Sequence, residues 1–429
     1  MLNQQKGFIL AENIMAELAW RGAINQVTDQ EALTKITNQR QISLYEGVDP
    51  TGPSLHIGHL VSLMILKRFQ KFGHKPYIVI GGGTGSIGDP SGRSSERVLQ
   101  KMEVIEQNAQ SLKKQLENFF GQDGFVFLNN YDWLSKIDLL EFLRDYAKQF
   151  NISTMLAKDS VQNRLAGGLS FTEFSYPILQ AIDFLNLRRD HHVELQIGGG
   201  DQWGNLTAGV DFIHRHLGSK TTAFGLTCPL ILRADGTKFG KTADGQSVWV
   251  DPERTSPYEF YQFWYNQPDS VVVNYLKFFT FLDQEQIAYL AKKVQEAPEK
   301  REAQKALATE VTTFVHGSEA TKQAQRISVA LFSGKYGELS AGEIKQALAQ
   351  MPQLTVSDQT ANVVTWLVDQ TKIEPSRRQA REDIKNGALA INGEKVRDLD
   401  YTVDPHAKYD GQYVVVKLGK KRYYLVHVQ

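Results

Sequence analysis

Cysteine is almost absent from this sequence: Cys228 is the only one among 429 residues. A single cysteine excludes an internal disulfide framework and a zinc site built from cysteine ligands. We therefore expect a protein that works in a reducing, cytoplasmic environment.

Long apolar runs are also absent. No run approaches the roughly 18 apolar residues that a transmembrane helix requires. Glu12 and Glu17 interrupt the apolar stretch near the N-terminus, where a signal peptide would need its hydrophobic core. The sequence thus predicts neither export nor a membrane partner.

Neither sign of charge is in excess, because 48 Lys and Arg balance 48 Asp and Glu. Proteins that bind nucleic acid are often basic overall, so this balance first argues against such a partner. From Ile373 onward, however, 11 basic residues face 8 acidic ones, which leaves 37 basic and 40 acidic residues in the rest of the chain. A basic tail on a slightly acidic body is therefore hidden in the total.

What the sequence does contain is an ordinary globular composition, 41% hydrophobic and 22% charged. Short apolar runs at 42–48, 76–81, 125–128, 193–197 and 226–232 alternate with helical segments such as 60–72. This alternation predicts a parallel α/β sheet covered on both faces, with ligands bound at the carboxyl ends of its strands.

The pattern changes after about residue 250. Segments 256–267, 284–295 and 298–317 have helical periodicity with no strand between them, which predicts a helical unit. The turn-rich residues 333–337 are a candidate linker, and the tail ends in two short strands at 412–417 and 422–428.

Two histidines, His56 and His59, follow the first predicted strand and a Pro/Gly loop. Their spacing places them on one face of the first turn of a helix, where backbone amides and imidazole donors together suit phosphate oxygens. Gly58 between them would leave room for a planar ligand. Taken alone, the pair is also compatible with two solvated histidines at a helix start.

A glycine-rich segment at 81–93 follows the second strand and matches G-x-G-x-x-G. A nicotinamide site would also need an acidic residue after the next strand, but asparagines occupy 129–130. We interpret the segment as the floor of a nucleotide site, with Arg93 and Arg97 as candidates that face phosphate. Their spacing fits a solvated helix start equally well.

Two further polar segments follow later strands. Asp201, after the glycines at 198–200, is suited either to accept ribose hydroxyls or to cap a helix. Lys238 and Lys241 lie three residues apart in a polar loop and are suited to neutralise a polyphosphate. On its own, this loop would be an ordinary charged turn.

Together these motifs resemble the class I aminoacyl-tRNA synthetases. Residues 56–59, His-Ile-Gly-His, are the HIGH signature, and residues 238–242, Lys-Phe-Gly-Lys-Thr, occupy the place of KMSKS. Segments 45–51, 81–92, 176–184 and 199–205 resemble the bacterial tyrosyl-tRNA synthetases in order and spacing. The resemblance covers essentially the whole chain; the departures are at 239, 240 and 242.

The resemblance implies an enzyme that activates L-tyrosine with ATP, releases pyrophosphate and transfers tyrosine to the 3′ end of tRNA(Tyr). Mg²⁺ would accompany ATP, with no tightly bound metal or organic cofactor, and the enzyme would be a homodimer. The implied domains are a Rossmann-like catalytic domain at 1–232, a mobile KMSKS-type loop and connection at 233–255, an α-helical domain at 256–332, a linker region at 333–354, and a small α+β RNA-binding domain at 355–429.

The resemblance also implies which residues form the site. The implied catalytic residues are Thr51, His56, His59, Arg93, Arg97, Lys238, Lys241 and Thr242. The implied ATP contacts are Asp49, His56, His59, Gly199, Asp201 and Lys241. The implied tyrosine contacts are Tyr45 and Asp183 at the phenol, and Tyr176, Gln180, Gln202 and Asp89 at the ammonium group.

The basic tail resembles a small RNA-binding module shared with a ribosomal small-subunit protein. Its candidate tRNA contacts are Arg377, Arg378, Arg381 and Lys385, which would present one basic face to phosphate. Without the resemblance, an ordinary solvated helix would be the better interpretation.

Three alternative functions fit these residues less well than tyrosine activation does. A synthetase of the same architecture that selects tryptophan is disfavoured by Tyr45 with Asp183, because an indole offers only a donor. A catalytically silent RNA-binding relative is disfavoured by the intact histidines and lysines of the two signatures. A nicotinamide oxidoreductase is weakened by the missing ribose acid.

Overall fold

The computed structural model describes residues 13–91, 100–165, 167–237, 239–240, 246–419 and 422–429. The chain divides into two compact units, one of residues 1–254 with 267–310 and one of residues 255–266 with 311–429. This division differs from the five segments proposed from the sequence, whose bounds stay a prediction. Each unit is described separately.

The α-helices are α1 (Ile14–Trp20), α2 (Gln30–Gln39), α3 (Leu60–Lys71), α4 (Met102–Phe120), α5 (Tyr131–Leu134), α6 (Leu139–Glu141), α7 (Ile152–Leu156), α8 (Asp159–Leu165), α9 (Phe171–His191), α10 (Trp203–Leu217), α11 (Pro257–Tyr265), α12 (Asp269–Phe279), α13 (Gln284–Glu296), α14 (Glu302–His316), α15 (Ser318–Ser333), α16 (Ala341–Ala347), α17 (Val363–Thr365) and α18 (Arg377–Lys385). Within the described ranges, no helix combines the length and hydrophobicity needed to cross a membrane.

The first unit contains a six-stranded sheet. Its strands are β1 (Gln26–Val27), β2 (Ser43–Val48), β3 (Lys75–Ile80), β4 (Val126–Asn129), β5 (Val193–Gly199) and β6 (Phe224–Cys228), in the spatial order β1-β6-β5-β2-β3-β4. Strands β2 to β6 are mutually parallel, which confirms the predicted Rossmann-like α/β sheet. The antiparallel edge strand β1 was not predicted, because two residues are too few to show a pattern.

Two predicted elements of this unit need correction. The strand predicted at 226–232 is observed as β6, which ends before Pro229, a residue with no N–H to donate to the ladder. The helix predicted at 298–317 is broken: a 3₁₀ turn, Pro298–Lys300, is followed by Arg301 at φ 51°, and α14 begins only at Glu302.

The sheet positions side chains on two opposite faces. Tyr45 of β2 is in register with Tyr77 and Gln196, whereas the next residue, Glu46, is in register with Ile78 and Ile197. Helices α9 and α10 pack on the Tyr45 face, and α3 packs on the opposite face. The chain order reverses between β2 and β5, which is where ligands bind in open α/β sheets.

The second unit contains a five-stranded sheet with helices packed against it. Its strands are β7 (Gln353–Val356), β9 (Leu389–Ile391), β10 (Glu394–Lys395), β12 (Tyr413–Leu418) and β13 (Arg422–Val428), ordered β10-β9-β12-β13-β7, and β8 (Ala361–Asn362) pairs with β11 (Thr402–Val403). Helix α18 buries Ala380 and Ile384 in the core beside this sheet. The predicted α+β architecture of the tail is confirmed.

The segment proposed as a linker, 333–354, is packed rather than extended. It contains α16, and its buried Tyr336 and Ile344 share a core with Ile327 of α15 and with Val415 and Leu425 of the sheet. The turn-rich composition of 333–337 thus produces a 3₁₀ turn, Tyr336–Glu338, inside a continuous core.

Candidate active site

A cavity of about 680 Å³ opens at the carboxyl ends of β2 and β5 in the first unit. The predicted residues that line it are Tyr45, Asp49, Thr51, His56, His59, Asp89, Tyr176, Gln180, Asp183, Gly199, Asp201 and Gln202. The remaining active-site predictions, Arg93, Arg97, Lys238, Lys241 and Thr242, lie outside the described residues.

One end of the cavity pairs a phenol with a carboxylate. The buried hydroxyl of Tyr45 has no hydrogen-bond partner among the described residues. Asp183 of α9 accepts hydrogen bonds from Asn130 Nδ2 at 2.9 Å and from Trp133 Nε1 at 2.7 Å. Burial raises the pKa of Asp183 to about 7, and burial followed by the charge of Asp183 raises the pKa of Tyr45 well above its usual range. This end therefore offers a ligand one unsatisfied hydroxyl and one fixed acceptor.

Asn130 and Trp133 hold Asp183 in place but were not predicted as site residues. Both follow the carboxyl end of β4, and Asn130 also donates to the Thr84 hydroxyl at 2.9 Å. The available signal was their position directly after a strand of a parallel sheet, where ligand-binding side chains gather.

Next to this end, side-chain amides form a connected network. Gln202 Nε2 donates to Asp89 Oδ2 at 2.7 Å, and Gln180 Nε2 donates to Gln202 Oε1 at 3.3 Å. Asn205, which was not proposed as a site residue, donates to Gln180 Oε1 at 3.0 Å. The network fixes the orientation of the buried Asp89 carboxylate toward the cavity.

Tyr176 and Asp183 lie on the same face of α9, as their spacing of seven residues permits. The Tyr176 hydroxyl donates to Asp49 Oδ2 at 3.0 Å, and the Thr84 hydroxyl donates to Asp49 Oδ1 at 2.8 Å. The residue proposed for tyrosine and the residue proposed for ATP are therefore in direct contact.

The two histidine rings lie against each other, with centroids 4.0 Å apart and planes tilted by 30°. The prediction that both belong to the first helical turn is wrong. Helix α3 begins at Leu60, His59 is its N-cap residue, and His56 forms an isolated bridge with Trp249. The rings meet because a tight turn, closed by the His59 N–H bonding to the His56 carbonyl, precedes the helix.

Backbone contacts fix the imidazole nitrogens. The His56 N–H donates to His59 Nδ1 at 3.1 Å, and the Gly58 N–H donates to His56 Nδ1 at 3.0 Å. A neutral ring that accepts at Nδ1 carries its proton on Nε2, which becomes the donor for a ligand. Burial, together with the neighbouring His56, lowers the pKa of His59 to about 3, so its ring is neutral at physiological pH.

Gly58 makes room within the turn. A Cβ atom at this position would lie 2.8 Å from Cε1 of His56, so the absence of a side chain lets the His56 ring pack there. Gly58 also lines the cavity, and its role of leaving room for a planar ligand stays a prediction.

The turn after β5 places an acid beside the cavity. A Cβ on Gly199 would lie 2.7 Å from Oδ1 of Asp201, so the carboxylate rests over this glycine. The alternative that Asp201 caps the following helix is wrong, because the N-cap of α10 is Gln202, whose side chain makes no capping bond.

Phe239 and Gly240 are the described part of the second signature. Phe239 is buried, with its ring 5.1 Å from that of Tyr275 and 5.2 Å from that of Phe279 on α12. Gly240 has φ 133°, and a Cβ there would lie 3.8 Å from Gly58 Cα. The two signatures thus meet through backbone at glycine positions.

The predicted basic helix is observed in the second unit as α18. Its exposed cationic residues are Arg377, Arg378, Arg381 and Lys385. Arg377 forms an ion pair with Asp369 at 2.7 Å. The opposite side of the helix, Ala380 and Ile384, is buried, so the cations share the exposed side.

Across the described ranges, no three His, Cys, Asp or Glu side chains form a group that could hold a metal ion.

The chain matches two known families. Residues 37–333 match the family described as tRNA synthetases class I (W and Y), and residues 343–426 match the tyrosine–tRNA ligase SYY-like C-terminal domain. These matches decide against a nicotinamide oxidoreductase.

Individual relatives and a solved structure point to the same family. The chain is 61% identical to a tyrosine–tRNA ligase of Pediococcus pentosaceus over 97% of this chain and 100% of that protein. It is 62% identical to a tyrosine–tRNA ligase of Limosilactobacillus fermentum over 97% and 99%. A C-terminally truncated mitochondrial tyrosyl-tRNA synthetase of Aspergillus nidulans matches with a TM-score of 0.67 and 30% identity over 75% of this chain and 94% of that chain. The chain therefore belongs to the class I tRNA synthetases and, within them, to the tyrosine–tRNA ligases.

Proposed function

We propose that the cavity joins L-tyrosine to AMP and that the same chain then transfers tyrosine to the 3′ end of tRNA(Tyr). A tyrosine carboxylate oxygen forms a bond to the α-phosphorus of ATP while the bond to pyrophosphate breaks. The substrate carboxylate is the nucleophile, so catalysis depends on positioning and on stabilising phosphate charge. The proposal is carried by the Tyr45 hydroxyl, which no described residue hydrogen-bonds, beside the fixed Asp183 carboxylate.

The phenol of the substrate fits this end of the cavity. Its hydroxyl would donate to Asp183 and accept from Tyr45, so both buried polar groups would gain a partner. An indole has an N–H but no acceptor, so tryptophan would leave the Tyr45 hydroxyl unpaired. The donors Asn130 and Trp133 hold the acceptor in place.

The ammonium group of the substrate fits the adjacent carboxylate and amide network. Asp89 would supply the negative charge, while the oxygens of Gln180, Gln202 and Tyr176 would accept its N–H groups. Because these side chains already hold one another, little reorganisation would accompany binding.

ATP fits the opposite side. Nε2 of His56 would donate to the phosphate oxygens of ATP, and the neutral ring of His59 would lie against the nucleoside. Thr51 and Asp49 line the path between the two substrates, and Asp201 over Gly199 would accept from the ribose.

The leaving pyrophosphate needs cations. Lys238, Lys241 and Thr242 of the second signature would surround it, assisted by Arg93 and Arg97 after the glycine-rich segment. The residues between the two lysines support this, because Phe239 packs on Phe279 and Gly240 lies beside Gly58. Mg²⁺ would be bound by the phosphate oxygens of ATP and would neutralise part of their charge. Asp49 and Asp89 of the cavity already accept hydrogen bonds from Tyr176 and Gln202. We therefore propose that the ion enters with ATP and is not held by these carboxylates beforehand.

We further propose that α18 binds the tRNA backbone, that two copies of the chain form a homodimer, and that the enzyme works in the cytoplasm. The exposed cations of α18 support the first. Four exposed apolar residues, Leu139, Leu140, Leu143 and Ile152, support the second, and the near absence of cysteine supports the third.

Exchange of radioactive pyrophosphate into ATP, with each of the twenty amino acids in turn, tests the activation step. We expect exchange with tyrosine and with no other amino acid. Exchange with tryptophan alone would support the tryptophan alternative, and no exchange at all would support a catalytically silent relative.

A further inference from the structure

Helix α12 packs on the described part of the second signature. Tyr275 and Phe279 lie one turn apart on this helix, and both are buried. Their rings lie 5.9 Å apart and contact the buried ring of Phe239, which is 5.1 Å from Tyr275 and 5.2 Å from Phe279. Aromatic rings at such distances attract one another beyond the area that they bury. Two side chains of one helix thus hold Phe239 in place.

The backbone beside Phe239 is fixed as well. The Tyr275 hydroxyl donates to the Leu232 carbonyl at 2.9 Å, and the Phe239 N–H donates to the Ile231 carbonyl at 3.0 Å. Phe239 is therefore anchored twice: its ring packs on α12, and its N–H is bonded to a segment that the same helix holds.

Helix α12 is itself tied to the helix that follows the first signature. The guanidinium of Arg68, a buried residue of α3, donates to the carbonyls of Lys277 at 3.1 Å, Phe278 at 2.8 Å and Thr280 at 2.8 Å. These carbonyls lie at the C-terminal end of α12, where backbone acceptors have no partner within the helix and a cation is favourable. Because α3 begins directly after His59, Arg68 holds α12 against the helix that starts at the first signature.

We propose that Tyr275 and Phe279 are positioning residues for the activation step, because they hold Phe239 where the lysines on either side of it meet the leaving pyrophosphate. This deepens the proposed function and rests on it, since it requires the reaction of ATP with tyrosine. Phe239 lies between the two lysines of the signature in the sequence, so a shift of its backbone would shift theirs. A displacement of about 1 Å in a group that acts on the transition state slows a reaction by up to about a hundredfold.

The first test is Phe279→Ala, which removes one of the two rings that contact Phe239. In single-turnover measurements we expect the rate constant for tyrosyl-adenylate formation to fall about ten- to a hundredfold. The rate constant for the reverse reaction with pyrophosphate should fall by the same factor, because stabilisation of a transition state acts in both directions. The Kd for tyrosine should stay at the parent value, since the residues proposed to bind tyrosine are unchanged.

A second variant, Tyr275→Phe, keeps the ring and removes only the hydrogen bond to the Leu232 carbonyl. It should slow both directions about three- to tenfold, the range for one lost hydrogen bond. Because this change is small, its rates decide the matter where Phe279→Ala does not fold.

Two comparisons separate positioning from a general loss of structure. Transfer of tyrosine from preformed tyrosyl-adenylate to tRNA involves no pyrophosphate, so both variants should perform it at the parent rate. Phe239→Ala combined with Phe279→Ala should be no slower than Phe279→Ala alone, because the two side chains act through one contact. The matched control is Ile287→Ala, at a buried position of α13, a helix that packs against α12. It should lower the urea midpoint of unfolding without slowing activation.

The proposal is overturned if neither Phe279→Ala nor Tyr275→Phe slows activation, or if transfer to tRNA slows as much as activation. It is equally overturned if Ile287→Ala slows activation to the same extent, or if the losses of the two alanine variants multiply when they are combined. Absence of tyrosine-dependent pyrophosphate exchange in the parent would instead contradict the proposed function, so the two failures are distinguishable.

Discussion

At the residue scale, we predict that the choice of amino acid depends on Asp183. Replacing it by Ala removes the acceptor for the phenol and leaves Asn130 and Trp133 without their carboxylate partner. We expect kcat/KM for tyrosine in pyrophosphate exchange to fall more than a hundredfold. The free energy of unfolding, measured with urea, should fall by only about 1 to 3 kcal/mol, the cost of leaving buried donors unpaired.

A matched control for this variant is Asp190→Ala, on an exposed position of the same helix, α9. It should retain exchange at the parent rate. The ratio of tyrosine to phenylalanine exchange should fall in Asp183→Ala and stay constant in Asp190→Ala. Exchange near the parent rate in Asp183→Ala would contradict the assignment of the phenol site.

Glu46 predicts how stability depends on pH. Its pKa is raised from an unfolded value of 4.5 to about 8 in the folded chain. Between these values the unfolded chain loses the proton first, so this residue lowers folding stability progressively from about pH 4.5 to 8 and adds no further change above that. Glu46→Gln does not titrate, so its melting temperature should fall less than that of the parent across this window. Parallel melting curves for the two proteins would contradict the neutral state of Glu46.

Some residues of the cavity could be predicted from the sequence and others could not, because only the first group stands in recognisable motifs. Tyr45, His56 and Asp183 stand in recognisable motifs, and the structure places all three on the cavity. Asn130 and Glu46 stand out only because of what surrounds them after folding: one orients Asp183, and the other has a buried oxygen without a hydrogen-bond partner in the described part of the chain. Burial and side-chain direction depend on contacts between distant segments, and no short motif records these.

At the element scale, the parallel strands were predictable because each is a short apolar run between turn residues. The exact ends of helices and the packing of the segments between elements were less predictable. The helix start at Leu60 depends on the His56–His59 turn, and the packed segment 333–354 depends on strands that come some sixty residues later. Both are tertiary effects that override local preference.

The proposed tRNA contact is a property of one element, α18. Replacing Arg378, Arg381 and Lys385 by Gln removes three exposed cations and leaves the Arg377–Asp369 pair and the buried Ala380 and Ile384 in place. We expect aminoacylation of tRNA(Tyr) to weaken at least tenfold, and the loss to shrink at low salt, because phosphate contacts release counterions. Pyrophosphate exchange should stay at the parent rate.

A matched control in the same unit is Lys345→Gln, an exposed lysine of α16. These substitutions test the contact better than deletion of the tail, because a cut near residue 355 would expose Ile327 and Ile344, which pack against Val415 and Leu425. Unchanged charging by the triple variant at all salt concentrations would refute the role of α18.

At the scale of the whole molecule, the balance of 48 basic and 48 acidic residues is a poor guide to partners. The cations that we assign to tRNA lie together on one side of one helix, where local density matters more than the total. The two compact units likewise cut across the sequence: residues 255–266 join the second unit and 267–310 join the first. Such an exchange of segments leaves no compositional boundary from which it could be predicted.

The homodimer is a prediction about the whole molecule that rests on an exposed apolar patch, defined here as Leu139, Leu140, Leu143 and Ile152. The exposed fractions of Leu139, Leu140 and Ile152 are 70%, 76% and 65%. Several large apolar side chains this exposed, close together in the chain, are typical of a protein–protein interface. We expect the parent to sediment at twice its chain mass of 48.4 kDa.

Lysine at both Leu140 and Ile152 should shift the chain to a monomer in analytical ultracentrifugation, because burying two ammonium groups in an apolar contact is costly. The matched control is Val329→Lys, which changes another exposed apolar residue, on α15, and should leave the mass unchanged. Circular dichroism of both variants should match the parent, since the substituted side chains contribute little to the core. A parent that sediments as a monomer, or a double variant that stays at twice the chain mass, would show that this patch does not hold two copies together.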